Sequence, residues 1–207
     1  MPAKKRYTYL ALGDSYTIGE SVKSNECYPN LLVKKILDAG FTADTVTIIA
    51  KTGWTTDELI KGIAEKNIDY NNYDLVTLLI GVNNQYRGGS TENYRREFID
   101  LLKQAIGFAD NNSERVIVIS IPDWGVTPFA TDRDPSKIAL EINAYNIINK
   151  VEAAALGVHY ADITAISRRA TTQSDLIAED GLHPSAAMYK EWINVLYPIA
   201  LSILKNQ

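Results

Sequence analysis

The chain has 207 residues, of which 46% are hydrophobic and 22% are charged, and its formal net charge is −4. This length and composition are typical of one soluble globular domain, expected to span residues 1–207. The acidic balance argues against nucleic acid as a partner, because a phosphate backbone is bound by a basic field that this composition does not supply.

Strand and helix patterns alternate along the chain. In chain order they predict a strand at residues 7–12, a helix at 29–39, a strand at 45–50, a helix at 55–66, a strand at 75–80, a helix from 90 or 91 to 109, a strand at 116–121, a helix at 136–156, a strand at 158–163 and a helix at 185–204. The strands at 75–80 and 116–121 are almost continuously apolar, as in a parallel sheet covered on both faces. We therefore predict an α/β fold, a three-layer α/β/α sandwich around a central parallel sheet of about five strands, in a flavodoxin-like arrangement.

The segments that follow the strands are candidates for a functional site, because such sheets bind ligands beyond the carboxyl ends of their strands. Gly13-Asp14-Ser15 follows the first predicted strand, and Asp180-Gly181-Leu182-His183 lies in a late loop. A serine needs a base to become a nucleophile, and a histidine can accept and return a proton near neutral pH. Ser15, His183 and Asp180 therefore supply the parts of an acyl-transfer triad, with Asp14 interpreted as a support of the turn.

Two further segments offer donors for the oxyanion that acyl transfer creates. Gly53 follows the second predicted strand and can turn its backbone N–H toward a ligand. Asn83 follows the third predicted strand and carries a side-chain N–H, and the Ser15 amide is another candidate. The aromatic residues after strand ends are predicted to line the substrate pocket, namely Trp54, Tyr86, Trp124 and Phe129.

Together these segments resemble the sequence blocks of the SGNH hydrolases, also called the GDSL esterase/lipase family. The matching segments, in family order, are Gly13-Asp14-Ser15, Gly53, Gly81-Val82-Asn83-Asn84, and Asp180 with His183-Pro184. The resemblance covers residues 13–184 and implies an SGNH-type fold and a serine esterase. It also implies a triad of Ser15, Asp180 and His183, an oxyanion hole of Ser15, Gly53 and Asn83, and no cofactor.

The chain departs from the family pattern at Asn84, where the family usually has Asp. That carboxylate generally helps to organise the loop, so Asn84 is expected to act as a hydrogen-bonding strut or to alter the substrate pocket. The α/β-hydrolases, which place their serine in Gly-x-Ser-x-Gly, fit less well. The residue two positions after Ser15 is Thr17, and Asp180 and His183 share one short loop.

The expected partner is a small-molecule carboxylic ester with a short acyl chain, such as an acetylated sugar. Lysophospholipid and thioester hydrolysis stay open, as does a homo-oligomeric state. A catalytically silent protein that uses this scaffold to bind carbohydrate or lipid is the alternative, which loss of a catalytic residue would favour. A mononucleotide-binding protein is disfavoured, because Asp14 and the bulky Tyr16 occupy the loop that would hold a phosphate.

The remaining polar candidates are interpreted as structural. These are Asp123, Asp162, His159 and the free thiol of Cys27. Arg87 is interpreted as a surface residue, with contact to an anionic or polar part of the substrate as the alternative. Two histidines and one cysteine give no metal-ligand spacing, so no metal site is predicted. No apolar run approaches the ~20 residues that span a bilayer, and no signal peptide is visible, so a cytoplasmic location is expected for the sequence as given. A secreted or periplasmic form whose leader has been removed stays open.

Overall fold

A five-stranded parallel sheet organises the part of the chain that the computed structural model describes, which is residues 6–43, 46–66, 68 and 73–207. The strands are β1 (Arg6–Tyr7), β2 (Tyr9–Gly13), β3 (Thr42–Ala43), β4 (Thr47–Ala50), β5 (Leu75–Leu79), β6 (Val116–Ile119) and β7 (His159–Ala161). The order across the main sheet is β4-β2-β5-β6-β7, while β1 and β3 form a separate parallel pair.

Helices cover both faces of this sheet. The α-helices in the described ranges are α1 (Ser15–Ile18), α2 (Tyr28–Asp38), α3 (Thr56–Lys66), α4 (Val82–Tyr86), α5 (Thr91–Phe108), α6 (Pro135–Ala155), α7 (Thr164–Arg168) and α8 (Ala186–Lys205). The chain crosses the sheet in one direction through α2, and in the opposite direction through α3, α5 and α6. Because parallel crossovers are right-handed, α2 lies on one face and these three helices on the other. With α8 packed beside α2, the predicted three-layer sandwich is confirmed.

The chain reverses the direction in which it adds strands to the sheet, and this reversal positions the candidate site. The chain leaves β2 toward β4 and later continues from β5 toward β6, so the topology reverses at the β2–β5 boundary. Sheets of this kind bind ligands outside the carboxyl ends of the strands at that reversal. Ser15 follows β2 and Asn83 follows β5, so both flank this position.

The central strands are buried throughout because both of their faces are covered. Every residue of β2, β5 and β6 is buried. Thr77 is the polar exception in β5, and its hydroxyl lies 2.9 Å from the Tyr9 hydroxyl and 3.2 Å from the Tyr28 hydroxyl. A buried polar atom costs little when it is hydrogen-bonded, so this threonine is compatible with the core.

Several element boundaries differ from the sequence prediction. The strand predicted at 7–12 is interrupted at Thr8, whose N–H donates to Asp74 Oδ2 at 2.8 Å. The strand predicted to reach residue 121 ends at Ile119, and the Ile121 N–H donates to Asn146 Oδ1 at 2.7 Å. Of the strand predicted at 45–50, residue 45 lies outside the described residues. The helices α1, α4 and α7 were not predicted, because four or five residues are too few for a periodic pattern.

None of the helices in the described ranges combines the length and apolar character that crossing a membrane requires.

Candidate active site

Ser15 is the first residue of α1, directly beyond the carboxyl end of β2. A Cβ atom at Gly13 would lie 2.3 Å from the Leu79 carbonyl oxygen, so the strand can turn here only with glycine. Asp14 caps α1, and its Oδ1 accepts the Tyr16 N–H at 3.0 Å. The Ser15 N–H lies in the first turn, where a helix offers no internal acceptor.

Asp14 is fully buried, and its second oxygen, Oδ2, has no hydrogen-bond partner among the described residues. Burial raises the pKa of this carboxyl to about 7, against the lowering effect of the Tyr16 N–H. Asp14 therefore supports the turn, as the sequence indicated, at an electrostatic cost when it is ionised.

Asp180 and His183 lie together in the loop before α8. His183 Nδ1 lies 2.5 Å from Asp180 Oδ2, and because an ionised carboxylate can only accept, Nδ1 carries a proton at this contact. Asp180 Oδ1 accepts the backbone N–H groups of Leu182 and His183, both at 2.9 Å. The loop is thus folded around one carboxylate.

Ser21 adds a hydrogen bond that the sequence analysis did not identify. Its hydroxyl donates to Asp180 Oδ2 at 2.7 Å, on the oxygen that also accepts from His183. Partial burial opposes ionisation of Asp180, but the bonds from Ser21, His183 and the backbone outweigh it and hold the pKa of this carboxyl well below its usual range. Ser21 has φ +65°, and this left-handed conformation gives no sequence signal in a serine.

The Ser15 and His183 side chains border one cavity of about 160 Å³ at the carboxyl edge of the sheet. Gly53 and Asn83 border it as well. The structure records no hydrogen bond between the Ser15 hydroxyl and the His183 ring. Such bonds are often loose without substrate and tighten in the reacting complex. The structure therefore brings together at one cavity most of the residues that the sequence singled out, with Asp180 behind His183.

Residues of α4 and its C-cap hold the loop that contains Gly53. Asn83 Nδ2 donates to the Trp54 carbonyl oxygen at 2.9 Å, and the Arg87 guanidinium donates to the Gly53 carbonyl oxygen at 2.6 Å. Arg87 also pairs with Glu58 of α3 at 3.3 Å, which holds its guanidinium beside this loop. Gly53 has φ +84°, which other residues adopt only with strain. Arg87, interpreted from the sequence as a surface residue, thus contacts the backbone of a candidate oxyanion donor.

Asn84 is buried and lies outside the lining of the cavity, so it is a strut rather than a pocket residue. Its Oδ1 accepts the Thr56 N–H at 3.1 Å, and its Nδ2 donates to the Thr56 hydroxyl at 2.7 Å. The Thr56 hydroxyl in turn donates its single proton to Glu97. The Thr56 oxygen can therefore only accept from position 84, and an amide N–H supplies that donor whereas an ionised carboxylate does not. Glu97 gives a physical reason for the departure from the family pattern.

The aromatic residues divide into two groups. Tyr86, Trp124 and Phe129 line the cavity and contact one another, with ring centroids 5.4 to 6.1 Å apart. Trp54 does not line it, contrary to the sequence prediction. Its indole packs on Gly62 of α3, where a Cβ would lie 2.1 Å from the ring. A glycine on the adjacent helix gives the ring a place to pack away from the site.

Three of the polar residues interpreted as structural, namely Asp123, Asp162 and Cys27, have partners within the protein. Asp123 pairs with Arg168 at 2.9 Å, and Asp162 Oδ1 accepts the Thr164 N–H at 3.0 Å. Cys27 is buried, and its thiol donates to the Ser24 carbonyl oxygen at 3.0 Å.

Solved structures share this fold at low sequence identity. TesA aligns with a TM-score of 0.72 and 18% identity over 95% of this chain and 99% of that chain. The psychrotrophic esterase EstA from Pseudoalteromonas sp. aligns with a TM-score of 0.71 and 16% identity over 97% and 100% of the two chains. Axe2, an acetylxylan esterase from Geobacillus stearothermophilus, aligns with a TM-score of 0.71 and 18% identity over 98% and 96%. At these identities the likeness is one of fold.

A family model described as GDSL-like lipase/acylhydrolase matches residues 11–191. The match includes β2, the loops at the carboxyl edge of the sheet and the beginning of α8. No match was found among curated protein sequences.

Proposed function

The chain belongs to the GDSL-like lipase/acylhydrolase family of ester hydrolases, and we propose that it is a serine esterase with Ser15 as its nucleophile. The observation that carries the proposal is the common cavity of Ser15 and His183, together with the hydrogen bond from His183 to Asp180. A nucleophile, its base and the group that orients the base are the minimum set for acyl transfer by a serine.

In this mechanism His183 Nε2 takes the Ser15 proton as the hydroxyl attacks the ester carbonyl. Asp180 accepts the Nδ1–H and stabilises the imidazolium that forms. The low pKa of Asp180 keeps it ionised through the neutral range, so its charge is available at this step. His183 then protonates the leaving alcohol, and water, activated by the same base, releases the acyl group from Ser15.

The negative charge of the tetrahedral intermediate needs donors near the Ser15 hydroxyl. We assign this role to the backbone N–H groups of Ser15 and Gly53 and to the Asn83 side chain. One N–H of Asn83 Nδ2 donates to the Trp54 carbonyl oxygen, and this bond orients the amide while leaving its second N–H for the substrate. Arg87 holds the Gly53 carbonyl and so supports the same loop.

The size and lining of the cavity favour a short acyl chain. Its volume is about 160 Å³, whereas sites for drug-sized ligands are roughly 300–1,000 Å³. Most of the side chains around Ser15 are apolar or aromatic, among them Val82, Tyr86, Phe129 and Leu182. We therefore assign acyl groups of a few carbons to this cavity.

The test is a panel of p-nitrophenyl esters of increasing acyl length, with Ser15→Ala and the exposed Ser202→Ala as a matched control. We expect the wild type to prefer the shortest esters. Ser15→Ala should lose about 10³-fold or more in kcat/KM, and the Ser202 variant should retain its activity. Equal rates for wild type and Ser15→Ala would refute the proposal. A wild type that binds these esters without hydrolysing them would favour the silent binding protein.

A further inference from the structure

A second cleft adjoins the active-site cavity and shares two of its walls. The cleft has a volume of about 380 Å³ and lies between α4 and the N-terminal part of α6. Tyr86 and Trp124 line both spaces, and their rings meet edge to face with centroids 5.4 Å apart. The cleft therefore lies directly beside the cavity that contains Ser15.

The cleft is polar, in contrast to the apolar cavity beside it. Its charged and amide side chains are Gln85, Asp132, Arg133, Asp134, Lys137 and Glu141. Three carboxylates and two cations give it a net charge of −1. This charge disfavours phosphate groups, and a long alkyl chain would cover polar groups without offering them partners.

Some of these side chains have partners within the protein and others do not. Gln85 Nε2 donates to Glu141 Oε2 at 2.6 Å, and Asp134 caps α6 by accepting two of its N–H groups. No hydrogen bond or ion pair joins the side chain of Asp132 or Arg133 to another described residue. Lys137 Nζ lies 3.9 Å from Glu141 Oε1. The exposed side chains of Asp132 and Arg133 therefore offer an acceptor and a donor next to two aromatic rings.

We propose that this cleft binds the alcohol portion of the substrate and that this portion is an uncharged polyhydroxyl group such as a sugar. Hydroxyl groups can donate to Asp132 and accept from Arg133, and the C–H faces of a sugar ring can pack on Tyr86 and Trp124. The inference rests on the proposed esterase function, since it names the alcohol that the same site releases.

Three esters that share the acetyl group and differ in their alcohol test this assignment. They are 6-O-acetylglucose, hexyl acetate and 1-acetylglycerol 3-phosphate, with kcat/KM measured from acetate release and p-nitrophenyl acetate as the common reference. We expect kcat/KM for the glucose ester to exceed those for the other two by at least tenfold. A preference for hexyl acetate would indicate an apolar alcohol, a preference for the phosphate ester an anionic one, and either would overturn the proposal.

Variants of cleft residues test whether the preference for the glucose ester arises in the cleft. Asp132→Ala and Arg133→Ala should each lower the ratio of kcat/KM for the glucose ester to that for p-nitrophenyl acetate by about tenfold. Lys34→Ala and Asp38→Ala, a cation and a carboxylate in a groove beside α2, are matched controls that should leave the ratio as it is. An unchanged ratio in the cleft variants refutes the cleft assignment alone. Failure of the wild type to hydrolyse any of the four esters refutes the esterase function, and the assignment with it.

Discussion

Replacing Asn84 with the aspartate that the family usually carries should destabilise this protein, because Glu97 is already the acceptor for Thr56. In the wild type the Thr56 hydroxyl donates to Glu97 and accepts from Asn84 Nδ2. An aspartate at position 84 removes the donor and puts a second carboxylate on the same hydroxyl. One of the two carboxylates then loses its hydrogen bond to the Thr56 hydroxyl, while position 84 can still accept the Thr56 N–H.

The expected loss of unfolding free energy has two contributions. A buried polar group left without its partner costs about 1–3 kcal/mol. Two carboxylates bridged by one hydroxyl lie two hydrogen-bond lengths apart, roughly 5 Å, and repel by about 3 kcal/mol at an effective dielectric constant of 20. We therefore expect Asn84→Asp to lower the free energy of unfolding by about 4–6 kcal/mol at pH 8. Repulsion raises the folded pKa of the new carboxyl, so the deficit should shrink as the pH falls toward its unfolded value of about 4.

The assay is urea unfolding of four proteins at pH 8 and pH 5, namely wild type, Asn84→Asp, Glu97→Gln and the double variant. A glutamine at position 97 can donate to Thr56, which frees the threonine proton for the aspartate. The double variant should therefore recover at least about 2 kcal/mol of the loss, measured as the coupling energy of the cycle. Full stability of Asn84→Asp at pH 8, or additive effects in the double variant, would refute this reasoning.

Two other residues near Ser15 give separable predictions. Wild-type stability should fall as the pH rises from about 4 to about 7, because Asp14 has a folded pKa of about 7 against an ordinary value of 3.8 and each pKa unit is worth 1.36 kcal/mol. Asp14→Asn should abolish this fall and gain up to about 4 kcal/mol at pH 8 in urea unfolding, and a parallel pH dependence in the variant would contradict the assignment. Ser21→Gly removes the hydroxyl that holds Asp180 while favouring the backbone at φ +65°. We expect kcat for p-nitrophenyl acetate to fall about tenfold with KM and stability nearly unchanged, and an unaltered kcat would exclude a positioning role for Ser21.

The order along the chain of the five strands of the main sheet and of the longer helices could be predicted from the sequence, and the α/β sandwich is confirmed. The continuous apolar runs in β5 and β6 indicated burial on both faces, and this burial follows from the hydrophobic effect whatever the neighbouring strand is. The family assignment is confirmed as well, since the motif blocks lie inside the matched region of residues 11–191. The catalytic and oxyanion roles of individual residues stay predictions that the kinetic experiments test.

The side-chain contacts around the site could not be predicted from the sequence. Trp54 follows a strand just as Tyr86 does, but its ring packs on Gly62, and no local pattern marks that pairing. Ser21 holds Asp180 across 159 positions of sequence, and Arg87 holds the Gly53 carbonyl across 34. Hydrogen bonds between residues so far apart in the sequence depend on distances that only the folded backbone fixes.

Local sequence therefore determined which residues stand at the carboxyl ends of the strands, because strand periodicity and turn chemistry act over a few neighbouring residues. In this way the local sequence determined the glycine turn before Ser15 and the short loop that joins Asp180 to His183. Tertiary structure alone decided which of these groups share a cavity, which aromatic rings line it, and why an asparagine suits position 84. These outcomes depend on packing and hydrogen bonds between segments far apart in the chain, and their geometry exists only once the sheet and its helices have assembled.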